Sequence, residues 1–324
     1  MAMSRSWRPL GGVDGPHRAN PQSIGELNEV FSAAFTDRYR RDGLLGVRVP
    51  HLNPAVWRYA IEDADEGAMV WRDEHGGIAA FNMVHQSGSE GWMGPLAVRS
   101  DRQGHGLGKE IVLSGVEWLR GHGATVIGLE TMPRTVDNIG FYSRLGFTPG
   151  HLTLTLTLEA ARHSGSVEAL SRLGSQARTD ALAECQTLLH RILPGSDYSR
   201  EITLTADLEL GETLLIHERG TLVAFALAHT APLVEGRTRD ELRVLKLVVD
   251  DERRFGAVAR SLADFARHCG TRRVAFRIQG EYGDAFRQLA AIGAHVRWSD
   301  LRMSLDGYRE RRPEQGMVLS NWEI

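Results

Sequence analysis

The stretch RQGHGLGKE, residues 102–110, sets glycines at 104, 106 and 108 and then meets Lys109. Glycine permits left-handed turns and close approach of a ligand to the backbone, so such a run before a helix suits a phosphate. Spacing separates the phosphate motifs. A Walker-type P-loop needs a hydroxyl after its lysine to hold magnesium, and Glu110 stands there. The dinucleotide fingerprint needs its third glycine where Lys109 stands. What remains is Gln103-x-x-Gly106-x-Gly108, between a strand ending PLAV and an amphipathic helix. Successive bare N–H groups at a helix N-terminus form an anion nest suited to a pyrophosphate held without metal. Taken alone, the loop favours the phosphate, with a plain turn joining strand to helix as the alternative.

The elements that must position this loop are legible from periodicity. Apolar spacing predicts a helix over 24–41 and another from Pro54, with Asn53 as its cap. GAMVWRDEHGGIAAFNMVH reads as two strands joined by DEHGG, and GWMGPLAV (91–98) as a third. ATVIGLE (124–130), a helix over 137–146 and the alternating strand HLTLTLTLE (151–159) follow; SWRPL (6–10) adds a short strand at the start. The order then recurs. MVWRDEHGGIAAFNMVH matches LLIHERGTLVAFALAHT, and RLGF (144–147) matches AIGA (291–294), so one α/β unit of about half the chain is used twice. The expected organisation is a first domain over 1–160, a linker over 161–178 and a second domain over 179–324.

The loop after its strand, then VIGLE, Asn138 and FYSRLGF in order, resemble the motifs of the GCN5-related N-acetyltransferase (GNAT) superfamily across residues 5–158. The resemblance implies an α/β (α+β) architecture of two tandem GNAT folds, each a mixed, mostly antiparallel central sheet flanked by helices. It implies acetyl-CoA as cosubstrate, with Gln103, Gly104, His105, Gly106, Leu107, Gly108 and Lys109 around the pyrophosphate. The main chain of Leu96, Ala97 and Val98 would hold the pantetheine arm where Gly94-Pro95 breaks the ladder, with Asn138 supporting that arm. Tyr142 falls where the family keeps the acid that protonates the departing thiolate. The family's usual glutamate is replaced by Trp92, which leaves Glu90, on the same strand face, or Glu130 as the general base. His85, Trp92 and Tyr39 are candidate acceptor-cleft residues, beside the basic cluster Arg38, Arg40, Arg41 and Arg48.

Aligning the halves at an offset of 147 sets Leu289 against Tyr142, Ala285 against Asn138 and Arg277 against Glu130. The counterpart of the glycine loop keeps Arg253 and Gly256 but has the β-branched Val258 in place of the last glycine. The second half therefore resembles the degenerate partner domain of tandem acetyltransferases, suited to covering the first sheet and shaping the acceptor cleft. The tail GMVLSNWEI can add a strand to either half.

Composition narrows the alternatives. The net charge of -3 gives no case for nucleic acid or a membrane surface as partner. Cys185 and Cys269 form no disulfide framework and no metal site, and neither lies in the first half, so direct attack on the thioester in a ternary complex is expected rather than an acyl-enzyme. A small-molecule or peptide amine is the expected acceptor, the cytoplasm the expected compartment, and a homodimer is left open. The rival reading is a non-catalytic acyl-CoA-binding or interaction scaffold.

Overall fold

A computed structural model describes residues 12–163 and 165–323; the strand expected at 6–10 lies outside them. The first half runs β1 (Asp14–Arg18), α1 (Ile24–Arg41), α2 (Pro54–Ala64), β2 (Ala68–Arg72), β3 (Ile78–Ser87), β4 (Glu90–Val98), α3 (Leu107–Gly121), β5 (Val126–Thr131), α4 (Val136–Arg144) and β6 (Phe147–Glu159). The second runs β7 (Glu168–Ala169), α5 (Ser175–Ile192), α6 (Ser199–Asp207), β8 (Gly211–Glu218), β9 (Thr221–His229), β10 (Glu241–Val249), α7 (Phe255–His268), β11 (Arg273–Gln279), α8 (Gly283–Ala291), β12 (His295–Leu305) and β13 (Met317–Ser320). Two tandem GNAT-type folds are thus present. Part of the stretch expected as a linker is structured, since β7 and the start of α5 fall inside it.

Local chemistry accounts for the element ends. Asn53 caps α2 by accepting a bond from the Ala55 amide at 3.0 Å, with Pro54 at the first helical position. In the β2–β3 turn, Asp73 Oδ1 accepts from the amides of His75 and Gly77, and Gly76 supplies the left-handed residue at φ +82°.

All strands join one sheet, in the order β1-β2-β3-β4-β5-β12-β6-β11-β10-β9-β8-β7, with β13 on β10. The two halves exchange their last long strands. β12 of the second half pairs with β5 from Leu301↔Thr131 to Ser304↔Gly128. β6 of the first half pairs with β11 over seven positions, from Arg273↔Glu159 to Gln279↔Thr153. The side chains follow the backbone. Leu156 and Leu158 pack into the second half's core with Phe255 and Phe276, whereas Met303 and Leu305 pack with Ile111, Leu129 and Phe147 of the first. The alternation of HLTLTLTLE is thus real, but Leu154, Leu156 and Leu158 pack on the other half's core while Leu152 stays exposed.

The exchange makes separation costly, because burying one leucine stabilises by about 2 kcal/mol and β5 would lose its partner strand. A fragment ending at residue 160 is therefore expected to show no cooperative thermal transition by circular dichroism while the full chain does. A cooperative melt of that fragment would mean that β6 can fold back onto β5.

Candidate active site

β4 and β5 run parallel from Glu90↔Val126 to Met93↔Leu129 and then part. On its other side β4 slips register against β3 between Asn82↔Leu96 and Val84↔Met93, which puts a bulge at Gly94-Pro95. Pro95 has no N–H to give. The edge of Leu96, Ala97 and Val98 that faces β5 is consequently unpaired, and a cavity of about 570 Å3 opens along it. Leu96, Ala97, Val98, Gln103, Gly108, Asn138 and Tyr142 all line this cavity, as does Tyr39.

The glycine loop has the geometry its sequence suggests. Gly104 and Gly106 adopt φ +85° and +88°, and a Cβ added at Gly104 would meet no atom within 4 Å. Gly106 caps α3 without a side-chain bond, so the leading N–H groups of the helix have no intrahelical acceptor. Gln103 ties the loop to β4 by donating to the Val98 carbonyl (2.9 Å) and accepts from Arg41 of α1 (2.9 Å). Glu110 is turned aside, accepting from Trp71 Nε1 at 2.9 Å, while His105 and Lys109 stay exposed. Bare amides, a helix N-terminus and nearby Arg41 fit a pyrophosphate.

Tyr142 is 6% exposed, and burial raises its hydroxyl pKa, so the side chain stays protonated at neutral pH. The two carboxylates expected as bases behave otherwise. Glu90 is buried outside the cavity and accepts from Ser320 Oγ (2.7 Å) and Trp322 Nε1 (2.9 Å) of the C-terminal segment, which corrects its assignment as a base. Glu130 does line the cavity, yet its side chain is 2% exposed and pairs with Arg277, with Arg302 (3.2 Å) and with Thr153 (2.5 Å). Burial opposes its charge, but the two guanidiniums hold the carboxyl below its usual range. A carboxylate held that way is a poor proton acceptor, so Glu130 too is corrected, to an ion-pair anchor.

His85 and Trp92 are likewise corrected. They stack on each other at 4.0 Å between centroids, buried away from the cavity, with His85 Nδ1 2.6 Å from Asp63 Oδ2. Two of the four arginines in the basic cluster are held in ion pairs: Arg38 with Asp42 and Asp137, and Arg40 with Asp37. Sequence reasoning missed the far wall, made of Leu233, Val234, Trp298, Asp300, Trp322 and Glu323 from the second half. No local signal marks them, because three distant pieces bring them there: β12 through the strand exchange, the β9–β10 connection and the C-terminal segment.

In the second half the equivalent slot is filled. β10 and β11 pair only from Glu241↔Arg273 to Arg243↔Ala275, and beyond this β13 lies against β10 from Lys246↔Ser320 to Val249↔Met317. The N-terminus of α7 is plugged as well, since the Gly256 amide donates to Gln288 Oε1 at 2.8 Å. Among the described residues no His, Cys, Asp and Glu cluster could hold a metal ion, and no helix is long and apolar enough to cross a membrane.

A sheet split at β4–β5 beside a glycine loop is the arrangement that the resemblance to the GNAT superfamily implies. Residues 28–147 match the acetyltransferase (GNAT) family. It is 32% identical over 124 residues to serotonin N-acetyltransferase 2, chloroplastic, of Oryza sativa subsp. japonica, covering 38% of this chain and 56% of that relative, so only about half of the relative's length is matched. A Pyrococcus horikoshii structure provisionally described as an acetyltransferase superposes with a TM-score of 0.70 at 15% identity, over 99% of each chain. A tandem GNAT protein from the clavulanic acid biosynthesis pathway gives 0.61 at 13% identity, over 92% of this chain and 100% of that one. Saccharomyces cerevisiae N-myristoyltransferase with bound myristoyl-CoA gives 0.62 at 10%, over 95% and 86%. At these identities the structural likenesses concern the fold.

Glu130→Gln is expected to destabilise the chain by about 3 kcal/mol at neutral pH, as breaking a buried ion pair does. Because the folded-state pKa of Glu130 is lowered, its contribution is present above the carboxyl's ordinary 4.5 and is lost as the pH falls through the lower folded value. Denaturant melts from pH 7 to pH 3 should therefore show the gap between wild type and variant closing in acid, and a constant gap would contradict the ion-pair assignment.

Proposed function

We propose that the chain transfers the acetyl group of acetyl-CoA to a primary amine, by direct attack in a ternary complex within the first-half cleft. The observation that carries this reading is the meeting of the unpaired Leu96–Val98 edge, the glycine loop and Tyr142 in one cavity. The rice relative's name, an N-acetyltransferase, supports the reaction type, and the yeast enzyme seats an acyl-CoA on the same fold.

Acetyl-CoA would supply an activated thioester. The chain's own groups then divide the work. Main-chain N–H and C=O groups of Leu96, Ala97 and Val98 bind the arm as an added strand binds a sheet edge. The amides of residues 104–108 and the dipole of α3 meet the pyrophosphate, and Asn138 lines the wall opposite. Tyr142, kept protonated by burial, donates its O–H proton to the departing sulfur. A thiol leaving group of pKa about 8.5 needs only this weak acid. The apolar cleft walls exclude water that would otherwise hydrolyse the thioester.

Calorimetric titration with acetyl-CoA is expected to give one equivalent, abolished in Gly106→Glu, whose side chain would bring a carboxylate into the anion nest and force a residue with a Cβ to φ +88°. Two equivalents would mean that the second half also binds, and no binding would overturn the reading. Tyr142→Phe should bind acetyl-CoA normally while turnover falls about 100-fold; unchanged turnover would remove Tyr142 from the acid role.

A further inference from the structure

The acetyl-transfer reading needs a group that accepts a proton from the amine, and the first half has none to spare. Glu90 is bonded to Ser320 and Trp322, and Glu130 to two arginines. The other carboxylates on the cavity wall are Asp300 of β12 and Glu323 beyond β13, both from the second half. They differ in availability. Asp300 has a side chain 5% exposed, bonded to Arg277 (3.1 Å) and to Trp298 Nε1 (3.1 Å). Glu323 touches Arg277 at 2.7 Å with one oxygen, and its side chain is 48% accessible.

Charged groups crowd this end of the cleft. Arg277 of β11 faces Glu130, Asp300 and Glu323 together, and Arg302 of β12 is divided between Glu130 and Glu310. Arg243 of β10 acts on Glu323 from further away, and Tyr39 of α1 feels both Asp300 and Glu323. Three carboxylates, Glu130, Asp300 and Glu323, thus gather on Arg277 at the cleft wall, and Glu323 is the one with an exposed side chain. Apolar and aromatic side chains stand around it: among the described residues Trp298 is 43% and Leu233 37% exposed, and Phe35 and Tyr39 line the same cavity.

We propose that the second half completes the catalytic site: Glu323, positioned with Asp300 on Arg277, receives the ammonium of the acceptor and takes its proton, and the acceptor is a cationic amine with an aromatic or aliphatic body. This rests on the acetyl-transfer reading. An ammonium would pair with the exposed oxygen of Glu323, and the Trp298 and Tyr39 rings on the same cavity wall favour a cation with apolar substituents. Partial burial and the neighbouring carboxylates raise Glu323 above the ordinary carboxyl value despite Arg277, the direction that suits a base working near neutrality. The nitrogen loses two protons. Glu323 takes the first and passes it to water, freeing the lone pair that forms the C–N bond as the C–S bond breaks with its electrons going to sulfur. The second proton, lost from nitrogen after attack, replaces the one that Tyr142 gives to the thiolate.

The test uses the full chain with acetyl-CoA and three probe amines: phenethylamine, hexylamine and glutamate. The expected result is acetylation of the first two in preference to glutamate, with kcat/KM falling as the pH drops through the raised Glu323 value. Glu323→Gln should lower kcat/KM about 100-fold, lose that acid limb and keep acetyl-CoA affinity and melting temperature; Glu323→Asp should restore the limb in part. An unchanged pH profile in Glu323→Gln overturns the base assignment. Preference for glutamate, or no acetylation of either apolar amine by protein that binds acetyl-CoA, overturns the acceptor class. Failure of the wild type to bind acetyl-CoA is a different result, and it overturns the reading beneath.

Discussion

The pairing of β12 with β5, four residues from Leu301 to Ser304, is the contact on which the rest of the molecule depends. A parallel pair such as β4–β5 leaves β5 with an open far edge, and an open edge must be covered. Here the covering strand comes from the other half. β6 then has nowhere to lie but between β12 and β11, which makes the two sheets one. The second half is thereby bound to the first through backbone hydrogen bonds and not merely by side-chain docking. It also follows that β12 side chains on one face of the sheet stand beside the opening where β4 leaves β5.

The C-terminal segment turns that arrangement into two different sites. β13 pairs with β10 where β11 has departed, so the second half's slot is occupied by its own chain. Two residues on, Trp322 enters the first half beneath the split. A Cβ at Gly128 would lie 2.2 Å from its ring, so this position on β5 must be glycine. The Arg302 guanidinium lies over the ring at 3.7 Å from its centroid, and Glu90 accepts the indole N–H. One short segment thus closes one cleft and floors the other. Loss of Gly and Tyr equivalents in the second half has no cost once β13 lies there, because no ligand arm can reach them.

How much of this was legible in the sequence depended on the range of the interaction. Local signals served well: the 24–41 helix, the Asn53 cap, the break at Gly94-Pro95 and the bare backbone at Gly104 and Gly106 are set by neighbours a few residues away. The duplication was legible too, because LLIHERGTLVAFALAHT repeats a pattern. What failed was partner choice. HLTLTLTLE has the period of a strand buried on one face, but period cannot say whose core receives its leucines. Glu90 and Trp92 share one face of β4, and the period of a strand does not say what covers that face. They are covered by His85, Ser320 and Trp322, and two of those three lie more than two hundred residues away. Trp298 and Asp300 were unremarkable in a strand of the degenerate half.

The ion pair at the centre shows why the halves could not stay alike. Glu130 and Arg277 occupy equivalent positions 147 residues apart, and the strand exchange brings them together. Identical residues there would set two like charges side by side in a buried place, where the repulsion is poorly screened. Opposite charges solve this and impose an asymmetry: the carboxylate falls in the half with the open cleft and the guanidinium in the half with the filled one. Glu130 is then neutralised and unable to accept a proton readily, while Arg277 is long enough to gather Asp300 and Glu323 as well. The exchange that joins the sheets therefore also removes the first half's carboxylate from acid–base work and sets two others from the second half at the same cleft.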